Sequence, residues 1–216
     1  MENLKDYREK ELRYYTMANI LILLLLLGNF QFQADVSTIN AFNIIINVLE
    51  MVFISGVIFV FTFLADSLFP SELKQKSISR RVPGETIFSK IKEKNTDKRF
   101  TWEQAKEIYK SVYNNLPENK KERYMYENSE WYKIYNKHRD NMMIKVSNRD
   151  FLLCRDIYFA TIVTMILYLV LAFIFKVIIF DCRYIGYLIC MLIISNVGTR
   201  NKAKRFVYNV ISYDIT

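Results

Sequence analysis

The sequence predicts an all-α integral membrane protein: four transmembrane helices, two plus two, with a helical cytoplasmic domain inserted between the pairs. Three observations predict it. Apolar residues make up 52% of the chain and charged ones 24%, and the two populations occupy separate stretches. Such segregation marks membrane spans joined to an aqueous part rather than one mixed globule. Five glycines and three prolines supply little turn-forming material for a β-rich architecture. Finally, lysine and arginine fall almost wholly outside the apolar runs, on what is read as one side of a membrane.

Residues 1–13 form a charged N-terminal segment with Lys5, Arg8, Lys10 and Arg13, and residues 14–66 hold the first pair of spans. The stretch 14–34 carries no charge over 21 residues and centres on the leucine run after Ile20. About 20 apolar residues cross a ~30 Å hydrocarbon layer. Cleavage as a signal peptide is not expected, because the run is too long and no small-x-small site follows Gly28. From Val36 to Ala65 the only charge is Glu50, which predicts the second span. The second pair lies within 151–199: a 19-residue charge-free run, 157–175, and a 16-residue run, 184–199, joined by a hairpin at Asp181, Cys182 and Arg183. Residues 200–216 read as a tail. Four cations precede the first span, twenty lie between Pro70 and Asp156 and four follow Thr199, whereas the outer side holds only Lys176 and Arg183. Both termini and the middle domain are therefore expected in the cytoplasm, with the chain in a bacterial inner membrane.

The middle domain, 67–150, is expected to be helical and basic. Thr101 and Gln104 spell a capping box for a helix to about Asn114, with Leu116, Pro117 and Glu118 as the break. A second helix is predicted near Asn119 and another through Trp131 to about Met143. Ser147 is expected to cap a segment from Phe151 to Arg155 that continues into the third span. Arg80, Arg81, Lys90, Lys92, Lys94, Lys98 and Arg99 form a basic cluster suited to anionic lipid, a phosphorylated ligand or nucleic acid. A solvated face beside an anionic leaflet is the competing reading. The ion-pair candidates Arg149 with Asp150 and Arg155 with Asp156 stand at the entry to the third span, where they would couple domain and membrane.

Catalytic motifs are absent from this pattern. His138, Arg139 and Asp140 copy the start of a kinase catalytic loop, but Lys145 stands where that loop needs asparagine. His138 is the only histidine and is expected at the solvated surface; Cys154, Cys182 and Cys190 have no metal-site spacing. Neither enzyme activity, a cofactor nor a metal is expected. Inside the second span, Asn43, Asn47 and Glu50 share one helix face, and Ser55, Thr62 and Asp66 extend it. A carboxylate near mid-bilayer costs ~2.5–3.5 kcal/mol on insertion scales, so it faces other helices or water. The stripe is either a glue between protomers or the lining of a path, and both stay open.

In layout, two spans, a basic helical insert and two more spans, the chain resembles small multi-span effectors of bacterial antiviral systems linked to cyclic-nucleotide and CRISPR pathways. The resemblance implies a nucleotide or protein trigger and growth arrest by membrane disruption. The expected function is an oligomeric membrane effector that forms or gates a pore, or perturbs the membrane, on a cytoplasmic signal. The alternative is a non-permeating scaffold or regulatory subunit that recruits a cytoplasmic partner through the basic domain. Expected partners are membrane lipid, further copies of the chain and a cytoplasmic protein or nucleotide.

Overall fold

The computed structural model describes residues 4–27, 69–78, 83–176 and 178–216, with residues 53, 56, 57, 60, 61 and 64 between them. All regular elements among the described residues are helical: α1 (Leu4–Leu27), α2 (Ser71–Ile78), a 3₁₀ turn (Pro83–Thr86), α3 (Ile87–Lys94), α4 (Trp102–Ile108), α5 (Lys110–Asn114), α6 (Lys120–His138), α7 (Met142–Leu169) and α8 (Cys182–Ile215). A π-helical segment, Val170–Ile174, extends α7. The chain divides into two compact units, one of residues 1–74 and 155–196, the other of residues 75–154 and 197–216. The divisions fall inside α2, α7 and α8.

The first unit holds the apolar helices. Two candidate membrane-spanning helices, Met142–Ile174 and Cys182–Ile215, contain windows long and apolar enough to cross a bilayer, and only 33% and 22% of those windows is buried. A core helix of a soluble protein hides its apolar window; these leave Ile166, Phe173, Ile189, Ile193 and Ile194 exposed, as a lipid-facing surface requires. Phe53, Val60, Phe61 and Leu64 are likewise helical and exposed. Ile20 and Leu23 of α1 pack with Tyr168, Ile178, Tyr184 and Leu188. Three of the ring hydroxyls are paired: the Tyr15 hydroxyl meets Thr161 Oγ1 at 2.6 Å, the Tyr184 hydroxyl donates to Asn19 O at 3.3 Å, and the Tyr168 hydroxyl accepts from Asp181 N–H at 2.6 Å. Helix α7 stops where Lys176 takes φ 53°, and Asp181 Oδ1 accepts from Arg183 N–H at 2.8 Å to start α8.

The second unit has the larger core. Ile87, Phe88 and Ile91 of α3 meet Ala105, Tyr109, Val112, Trp131, Ile144 and Phe151, and the end of α8 fills the centre with Phe206, Val207, Val210 and Ile211. Trp131 stacks on Tyr135 at 5.6 Å and meets Phe206 edge-on at 5.4 Å. Residues 200–216, read from sequence as a tail, are thus helical to Ile215 and include core residues. Hydrophobic periodicity explains it, since four of the six residues 206–211 are large and apolar and lie completely or almost completely out of solvent. Gly84 is a point of close approach: a Cβ there would lie 2.7 Å from both Asn128 Oδ1 and the Trp131 ring. Fully buried Glu127 accepts from Ser89 N–H at 3.0 Å and from the Ser89 hydroxyl, pinning the first turn of α3.

Several helix limits differ from expectation. The Thr101 capping box is present, but the helix it starts breaks at Tyr109, whose ring is buried beside Phe88 at 5.4 Å. Tertiary anchoring there outweighs local propensity. Residues 120–138 form one helix rather than two, with no glycine or proline to divide them. Helix α7 starts earlier than Ser147 would place it: Asn141 Oδ1 accepts from Met143 N–H at 2.9 Å and from Ile144 N–H at 3.4 Å, while the Ser147 hydroxyl donates to Met143 O inside the helix.

Candidate functional site

Two successive turns build the site in the second unit. After α3, Asn95 Oδ1 accepts from Asp97 N–H and Asp97 Oδ1 from Arg99 N–H, each at 3.0 Å. Such side-chain turns fold a short loop without glycine. Phe100 then inserts into the core and stacks over Tyr208 of α8 at 6.5 Å, bringing residues 96–99 alongside Asn201, Lys204 and Arg205. The result is a groove of about 350 Å³ lined by Thr96, Asp97, Lys98, Arg99, Asn201, Lys204, Arg205 and Tyr208.

Its electrostatics are one-sided. Four cations and one carboxylate line it, a surplus of three positive charges. Arg99 is held in place: its Nη2 is 2.6 Å from Asp97 Oδ2 and its Nη1 donates to buried Asn209 at 2.8 Å. The Arg99 side-chain hydrogen bond holds the Asp97 carboxyl below its usual range against the opposing effect of burial, and Lys204 adds a longer-range attraction. Asp97 is therefore ionised at neutral pH. Lys204 Nζ lies 5.7 Å from the centre of the Tyr208 ring, within cation–π range. These groups can receive an anion; the side chains lining the groove include no histidine or cysteine to act as base or nucleophile.

Of the sequence-predicted cluster, Lys98 and Arg99 line this groove. Lys90, Lys92 and Lys94 are exposed on α3 and do not, and Arg80 and Arg81 lie outside the described residues. Asn43, Asn47, Glu50, Ser55, Thr62 and Asp66 also lie outside them. The coupling residues form adjacent ion pairs: Arg149 Nη2 to Asp150 at 2.7 Å, and Arg155 Nη2 to Asp156 at 2.9 Å with both side chains largely buried. Asp150 also receives Lys202 of α8 at 2.9 Å. A second cleft of about 230 Å³, between the start of α7 and α8, includes Asp150, Lys202 and Arg205 among its lining residues.

Sequence reasoning missed Lys204, Arg205 and Tyr208 as partners of the 98–99 pair, since only the fold closes a separation of about a hundred residues. It also misplaced His138. Rather than standing in solvent, His138 is half-buried, its Nε2 is 2.6 Å from Asp214 Oδ1, and Lys137 Nζ and the Tyr109 hydroxyl each lie 2.9 Å from the same carboxylate. Burial, reinforced by the Asp214 charge, pushes the Tyr109 phenol well up, so it remains a donor. Comparison with protein-family models, curated proteins and solved structures finds no match to this chain.

Proposed function

We propose that the chain is an oligomeric membrane effector that forms or gates a path, or perturbs the bilayer, when its cytoplasmic unit receives a signal, with bacterial anti-phage defence as the setting. One observation carries the reading: helix α8, Cys182–Ile215, bears an exposed apolar window at one end and the groove residues Lys204 and Arg205 further along the same uninterrupted helix. A ligand seated on the groove acts directly on an element that enters the membrane. In this reading the spans are 14–34, 36–65, 157–175 and 184–199, and both termini and the middle domain face the cytoplasm. Four helices in a compact bundle leave no water-filled lumen, so a conduit needs several copies around an axis. Asn43, Asn47 and Glu50 are the residues proposed to face that axis.

The test is expression of the full chain in bacteria with a membrane-impermeant dye outside, alongside dye release from liposomes carrying the purified protein. Wild type is expected to admit dye, Glu50→Gln to alter the rate and Glu50→Leu to abolish it. Permeability that never changes in cells or liposomes leaves the scaffold reading in place. A reporter fused after Asn115 is expected to read as cytoplasmic.

A further inference from the structure

We infer that the groove between residues 96–99 and α8 is a seat for the phosphate of an anionic phospholipid headgroup, held by Lys98, Lys204 and Arg205 with Arg99 as its fixed wall. The inference rests on the membrane reading above and names the ligand class of that site. Four cations follow the last apolar run within six residues: Arg200, Lys202, Lys204 and Arg205. Their partners differ. Arg200 Nη2 donates to Ile78 O at 3.3 Å and Lys202 Nζ to Asp150 Oδ2 at 2.9 Å, so both serve the protein's own contacts. Among the described residues, neither Lys204 nor Arg205 has a carboxylate within ion-pair distance, nor does Lys98 across the groove. Three exposed cations converge on one concavity and leave their charge unneutralised. The floor beneath them is ordered, because Tyr208 and Asn209 are buried and Asn209 fixes Arg99.

Position selects the source of the anion. Thr199 ends the apolar run, and Lys204 follows five residues later in the same helix. At ~1.5 Å per residue that is about 7.5 Å beyond the hydrocarbon edge, at the outer limit of a headgroup layer roughly 5–7.5 Å thick. Lysine and arginine side chains reach along that distance towards the interface. A phosphodiester offers the oxygens these donors need, and the Asn201 side chain lies beside them. Charge attraction to an anionic leaflet amounts to ~1 kcal/mol for each such cation.

The test uses the full chain in detergent and in nanodiscs, with lipid occupancy read by native mass spectrometry. Probes are phosphatidylglycerol, phosphatidylcholine, inorganic phosphate and ATP. Phosphatidylglycerol is expected to bind in preference to phosphatidylcholine, and K204Q/R205Q to weaken it on the order of thirty-fold, two cations' share at about 1.4 kcal/mol per decade. K90Q/K92Q removes the same charge from α3, outside the groove, and is expected to change affinity by less than about three-fold. All four side chains are exposed, so circular dichroism should show both variants folded. Equal losses in the two double variants overturn the built site in favour of general basicity. Displacement of phosphatidylglycerol by ATP or phosphate at comparable concentration overturns the headgroup as source. A chain that fails to enter nanodiscs fails the membrane reading itself, a result separate from entry without anionic-lipid preference.

Discussion

Replacing Asp214 by Asn tests the ion and hydrogen-bond cluster that ties the end of α8 to α6 and the α4–α5 junction. The carboxylate accepts from Tyr109 at 2.9 Å, from Lys137 at 2.9 Å and from His138 at 2.6 Å, and its side chain is only 8% exposed. A charge-assisted bond contributes roughly twice a neutral one, so Asn forfeits ~1 kcal/mol at Tyr109 and a similar amount at His138. Lys137 is 68% exposed, which screens its share to about 0.5 kcal/mol. The sum is a loss of about 2–3 kcal/mol, or roughly 10–20 °C in melting temperature for a unit of this size. Trp102 and Trp131 are the chain's two tryptophans and both lie in that unit, so tryptophan fluorescence in a thermal melt reports it selectively. The pH dependence fixes the cause. Burial pushes the Asp214 carboxyl up, but the bonds from Lys137, His138 and Tyr109 outweigh it and hold it below its usual range. Its stabilisation is full above the ordinary carboxylate value and is lost as pH falls through the lowered one. The gap between wild type and Asp214→Asn should therefore be constant near neutrality and close below about pH 4. A gap that is absent at pH 7, or that persists undiminished at pH 3, refutes the assignment.

Four further substitutions are read by the same melt. Gly84→Ala places a methyl 2.7 Å from Asn128 and Trp131 and should destabilise the unit by about 1–3 kcal/mol; an unchanged melt would mean that the contact gives way freely. Burial raises the Glu127 carboxyl despite its hydrogen bonds from Ser89, so wild-type stability should fall as pH rises from the ordinary carboxylate value through the raised one. Glu127→Gln is expected to remove that fall, and a variant with the same slope as wild type argues against Glu127 as its source. Asn141→Ala removes the acceptor that starts α7 and should cost ~1 kcal/mol, whereas Ser147→Ala, already inside the helix, should cost less.

Local rules made the helical class and the starts of α4 and α6 legible. The Thr101 and Gln104 pair names its own cap, and the apolar runs after Ile157 and Tyr184 stand out because nothing polar interrupts them long enough to suggest a soluble helix. The break at Tyr109 was hidden because it depends on a ring reaching Phe88 and a hydroxyl reaching Asp214, which lies 105 residues away. Asn141 and Ser147 are both sound cap residues by type. Only the path of the chain decides that the first starts the helix while the second bonds back to Met143 within it. The role of residues 206–211 was masked by what precedes them, since Arg200, Lys202, Lys204 and Arg205 give the segment the composition of a solvated tail.

The groove was half legible for a related reason. Lys98 and Arg99 belong to a long basic run, and composition does not separate them from Lys90, Lys92 and Lys94, which share their charge and exposure. What distinguishes a binding cation from a solvated one is the arrangement around it. Arg99 is clamped by Asp97 and Asn209, Lys204 stands over the Tyr208 ring, and Arg205 reaches the same concavity with no carboxylate among the described residues bonded to it. The same distinction applies within α8, where four cations in six residues look equivalent in sequence. Asp150 and the Ile78 carbonyl occupy two of them. The remaining pair has the arrangement that an external anion needs, and their place just beyond the apolar run makes a membrane surface its nearest source.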